Sequence, residues 1–76
     1  MPPAWTTFRI KSTRFLAVDR DSGWHIVDQD GGNFGSWLDL RAFAARFRRH
    51  EPGLCLGRAA VSIAAIIHQP PLSTEA

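Results

Sequence analysis

The chain has 76 residues, 45% hydrophobic and 21% charged, with a net charge of +2. That length supports one small domain with little room for a deep substrate cleft, and the composition excludes a wholly disordered chain. A single cysteine, Cys55, excludes an intramolecular disulfide and a cysteine-rich zinc site.

Without such staples a reducing compartment is expected, and with it a cytoplasmic location. The N-terminus has no basic region followed by an apolar one, so no secretion signal is read there. The longest apolar stretch, Ala59 to Ile67, falls far short of the roughly 20 residues of a membrane span. A soluble protein is expected.

Residues 1–5, with Pro2 and Pro3, read as a loose N-terminus. Thr6 to Lys11 alternates, with Phe8 and Ile10 on one face and Arg9 and Lys11 on the other, which is the period of a half-buried strand. Ser12-Thr13 is a weak break. Arg14 to Arg20 is a second strand, or an extension of the first after a bulge. Asp21-Ser22-Gly23 signals a turn, Trp24 to Asp28 a strand, and Gln29 to Asn33 a hairpin whose Asp-Gly and Gly-Asn pairs accept positive φ. Phe34 to Trp37 completes a three-stranded antiparallel sheet.

A helix follows. Ser36 is the expected N-cap, with Asp39 three residues on as a shortened capping box. Trp37, Leu40, Phe43, Ala44 and Phe47 fall within an arc of about 120°, and Pro52-Gly53 ends the element. Arg46, Arg48, Arg49 and His50 occupy its last turn, where the helix dipole favours cations. Residues 58–68 fit either a helix or a buried strand. Their alanine content predicts a helix. Pro70-Pro71 stops it, and residues 69–76 read as a disordered, proline-rich tail. The fold expected is α+β, a three-stranded sheet packed against one or two C-terminal helices, as a single domain over 6–68.

Charge is banded along the chain: +3 over residues 1–20, −4 over 21–39 and +4 over 40–58. Eight of the nine cations are Arg, which favours bidentate contacts to carboxylate or phosphate. Two candidate surfaces follow. Asp21, Asp28 and Asp30 at hairpin ends, beside Trp24, form an acidic face suited to a partner's phosphate-binding groove. Arg9 and Lys11 share a strand face, Arg41 and Arg48 lie along one helix edge, and Arg46 and Arg49 sit behind them. Together these six fit nucleic acid or an acidic protein surface.

Catalysis has weak support. His25, His50 and His68 lie in three different elements, and Ser36, His25 and Asp28 lack a nucleophile-elbow pattern. Cys55, in Gly53-Leu54-Cys55-Leu56, reads as a small core residue. The run from Asp28 to Asp39 imitates a calcium loop, but its turn glycine falls at Asn33 and its last position is not Glu. No enzyme, metal or cofactor is expected.

Gly23-Trp24-His25-Ile26-Val27, Asp30-Gly31-Gly32, Phe34-Gly35-Ser36-Trp37 and the helix from Leu40 to Phe47 resemble the AP2-like domain of plant transcription factors and integrase arm-binding modules. The resemblance, over residues 23–48, implies a β-β-β-α unit whose sheet reads the DNA major groove.

The function expected is a small non-enzymatic binding protein, an inhibitor or adaptor of the phage or mobile-element type. Anti-CRISPR proteins are the analogy in size and charge. It would dock through charged faces on a protein that handles nucleic acid, and a homodimer is compatible with this. The alternative is a DNA-binding module of AP2-like type.

Overall fold

The computed structural model describes residues 4–59. Alternating apolar side chains make four successive strands: β1 (Trp5–Ile10), β2 (Thr13–Arg20), β3 (Gly23–Asp28) and β4 (Gly32–Trp37). The helix α1 (Leu40–Arg48) and a short strand β5 (Gly57–Arg58) follow. All five strands form one antiparallel sheet in the order β1-β2-β3-β4-β5.

The expected three-stranded sheet is therefore corrected to five strands and one short helix, a mostly-sheet fold. Two causes account for the difference. The weak break after Ile10 is a complete two-residue turn: Ile10 pairs with Thr13, and Lys11 between them takes φ 56°. A β-hairpin of this tightness needs positive φ, and no glycine or asparagine marks the place. The fifth strand forms because the chain returns from α1 to pair with Gly32 and Asn33. Arg58 belongs to that strand rather than to a helix. Ala60 to His68 of the expected second helix and the tail 69–76 lie outside the described residues.

The turn between β2 and β3 closes at Arg20 and Gly23. Gly23 has φ 114°, and a Cβ there would meet the Trp37 carbonyl oxygen at 2.8 Å, so the position requires glycine. Between β3 and β4 the Asp28 carboxylate organises the loop. Its Oδ1 accepts from the amides of Asp30 (2.9 Å) and Gly32 (2.7 Å), while Gly31 takes φ 85°.

The helix starts later than the sequence suggested. Asp39 is the N-cap, its Oδ1 accepting from the Arg41 amide at 2.9 Å. Ser36 and Trp37 remain in β4, where Ser36 Oγ lies 3.1 Å from Ser22 Oγ and Trp37 Nε1 donates to the Phe34 carbonyl at 2.8 Å. Aspartate caps as well as serine does, and pairing of Trp24 with Trp37 holds the chain extended up to that point. At the other end His50, at φ 56°, donates to the Phe47 carbonyl and Glu51 donates to that of Arg46, the two bonds of a Schellman C-cap.

The pleat separates two apolar faces. Toward α1 lie Ile10, Phe15, Ala17, Ile26 and Phe34, which are buried with Phe43 and Leu54 and flanked by Phe8, Trp24, Trp37, Leu40, Ala44 and Phe47. Phe15 sits amid the rings of Phe8, Phe34, Phe43 and Phe47, with centroids 5.0–5.6 Å away, and the edge-on geometry of most of these pairs suits aromatic quadrupoles. On the opposite face Leu16 and Val27 are buried with Trp5, Val18 and Ala59 packed around them.

Candidate protein-binding groove

The meander sends the acidic residues to opposite ends of the sheet. Asp21 is exposed in the β2–β3 turn, whereas Asp28 ends β3 at its far end and Asp30 lies in the β3–β4 loop beyond it. Asp39 returns to the Asp21 end, where it caps α1. Asp28 is half-buried with its carboxylate committed to loop amides. Trp24 packs half-buried against the core beside α1. The four residues of the expected acidic face therefore do not form one surface.

The basic residues divide as well. Arg9 is exposed on β1 directly opposite Arg14, on the face away from α1, and Lys11 occupies the β1–β2 turn. Arg46 lies over the Trp37 ring at 5.2 Å and 3.7 Å from Glu51, with its side chain half-exposed. Arg49 is the C-cap residue of α1. Arg41 and Arg48 remain, both exposed, and neither guanidinium is in an ion pair among the described residues.

These two arginines share a groove of about 520 Å³ between β1 and α1, lined by Thr6, Phe8, Leu40, Arg41, Ala44 and Arg48. Its construction follows from two periods. Positions 40, 41, 44 and 48 lie along one side of a 3.6-residue helix. Thr6 and Phe8 alternate onto the helix-facing side of β1, opposite Ala17 and Phe15. The floor is apolar and the rim is cationic. The sequence pattern placed Arg41 and Arg48 on one helix edge but did not reveal that Thr6 and Phe8 face them.

A second groove of about 390 Å³ is lined by Phe34, Phe47, His50, Glu51, Gly53, Leu54 and Cys55. It brings together a thiol, an imidazole and a carboxylate. Cys55 is exposed rather than part of the core, because Gly53 at φ 82° turns Leu54 inward instead. Its Sγ faces the Gly57 carbonyl oxygen at 3.5 Å, and Glu51 faces Arg46. No hydrogen bond joins Cys55 to His50 among the described contacts, and a nucleophile needs such a base within reach.

His25 and Ser36 are cross-strand partners, but Asp28 projects from the other face of β3, so that potential triad is not assembled. Among the described residues no group of three metal-ligating side chains converges, and no helix is long and apolar enough to cross a membrane.

Comparison of the chain with protein-family models, with curated proteins and with solved structures gave no match.

Proposed function

We propose that this chain is a non-enzymatic binding protein that docks on another protein by taking an acidic segment into the groove between β1 and α1. The observation that carries the reading is the pair Arg41 and Arg48, exposed and with neither guanidinium in an ion pair among the described residues, on the rim of an apolar groove. Arginine forks suit carboxylates, and unpaired cations beside apolar surface favour a partner that supplies both acidic and apolar groups. An inhibitor or adaptor role of the phage or mobile-element type, on a nucleic-acid-handling partner in the cytoplasm, stays part of the proposal, motivated by size and charge. Direct DNA binding in the AP2-like manner has less support. The sheet face turned away from α1 centres on buried Leu16 and Val27, with Arg9 and Arg14 toward one end and Arg20 toward the other rather than gathered in one basic patch.

The test compares the parent with Arg41→Glu plus Arg48→Glu, by fluorescence anisotropy against polyglutamate and against duplex DNA at low and moderate salt. The parent binds polyglutamate, and the double variant loses at least tenfold in affinity with little change in melting temperature, because exposed charges contribute little to stability. Tighter binding to the duplex with a steep salt slope shows the reading to be wrong.

A further inference from the structure

Among the described residues, the groove runs beside an open sheet edge, because β1 pairs with β2 on one side alone. In the antiparallel ladder, Asp19 donates to the Ala4 carbonyl, and pairing alternates from there. Thr6, Phe8 and Ile10 exchange hydrogen bonds with β2, while the amides of Thr7 and Arg9 turn to the outside. Neither of those amides has a partner among the described residues. The other edge of the sheet is occupied by the two-residue β5, which offers almost no ladder. Free edges are normally blunted by charge, proline or cover, and among the described residues of β1 the charged one is Arg9.

We propose that β1 receives the partner's segment as an added antiparallel or parallel strand, whose main chain bonds Thr7 and Arg9 while alternate side chains enter the groove. This inference rests on the groove reading above and specifies its mode. In β-augmentation the main chain supplies affinity and side-chain pockets supply specificity. Arg41 and Arg48 are seven residues apart, about 10 Å along a helix. Residues i and i+4 of an extended strand point the same way about 13 Å apart, within reach of two long arginine side chains. The residue between them, i+2, faces the floor of Phe8, Leu40 and Ala44. The occupant is thus an extended segment with the pattern acidic-x-apolar-x-acidic. A second copy of this chain is disfavoured, because pairing β1 with β1 would bring two sets of Arg9, Arg41 and Arg48 together.

The probe is a capped peptide with the core Glu-Thr-Leu-Thr-Glu, titrated onto the full chain while amide exchange is followed by NMR. Saturation should slow exchange at Thr7 and Arg9. A Lys-Thr-Leu-Thr-Lys peptide should bind at least tenfold more weakly. Thr7→Pro removes one outward amide without touching the ladder to β2, a substitution edge strands tolerate, and should weaken binding at least tenfold at an unchanged melting temperature.

If Thr7→Pro fails to fold, exchange on the parent chain decides alone. Unchanged exchange at Thr7 and Arg9 under saturation, with binding still sensitive to Arg41→Glu, overturns strand addition and leaves the groove standing. No binding, or binding indifferent to Arg41→Glu and Arg48→Glu, removes the groove and the strand together. Amides already protected in the free chain, in a concentration-dependent dimer, assign the edge to a second copy and overturn the proposal.

Discussion

Asp28 shows how one side chain changes its meaning once the chain is folded. Read along the sequence it is a member of an acidic surface. In the structure its Oδ1 holds two loop amides, those of Asp30 and Gly32. Losing an ionised acceptor of two N–H groups at a partly buried site should cost about 1–2 kcal/mol, which in a domain of this size lowers the melting temperature by roughly 4–8 °C per kcal/mol. Asp28→Ala is thus expected to destabilise, whereas Asp30→Ala, exposed at the loop tip, should stay within about 0.5 kcal/mol. Thermal melts of the two variants compare them directly. Equal melting temperatures would mean that the loop does not depend on the Asp28 carboxylate. For the same reason, reversing the charge of Asp28 does not isolate a surface effect.

At the scale of elements, the start of α1 separates two candidate caps three residues apart. Asp39 satisfies the Arg41 amide, and Ser36 sits exposed in β4 against Ser22. Asp39→Ala should cost about 1 kcal/mol, and Ser36→Ala about 0.5 kcal/mol or less. Denaturant titration of both variants checks this, and the opposite ranking would move the helix start back to Ser36. Its far end takes a Schellman cap with His50 at the left-handed position, a site where glycine is commoner. The last-turn cations Arg46 and Arg48 sit where the helix dipole favours them, but the half-exposed Arg46–Glu51 pair adds little stability. Arg46 is positioned by packing on Trp37 rather than held ready for a ligand.

Over the whole molecule, the aromatic cluster ties distant elements into one cooperative unit. Phe15 on β2 touches rings from β1, β4 and α1. Deleting a buried phenylalanine costs about 3–5 kcal/mol, and the core of a chain this short rarely supplies more than about 3–5 kcal/mol in total. Phe15→Ala, at 0% exposure, should therefore abolish the cooperative thermal transition seen by circular dichroism. A sharp transition near the parental temperature would contradict this packing of the sheet on α1. The same arrangement creates the groove, in which Arg41, Ala44 and Arg48 of α1 face Thr6 and Phe8 of β1.

The sequence by itself determined the local periods and their signs. Alternation put Phe8 and Ile10 on the buried side of β1, and the helical stripe put Phe43 into the core with Leu40 and Phe47 against it. The Asp-Gly pair marked the β3–β4 turn, and Arg41 and Arg48 shared a helix edge. Each of these depends on neighbours a few residues away, and side-chain direction repeats faithfully over that range. Tertiary structure alone decided the strand count, because Lys11 adopts a positive φ that its residue type does not announce, and because β5 exists only where the returning chain finds Asn33 and Gly32. It also decided which charges meet. Antiparallel register carried Asp21 and Asp28 to opposite ends of β3, and the packing of α1 brought two arginines to a strand that is the sheet edge among the described residues. Convergence of that kind is set by register and packing, which no window of sequence contains.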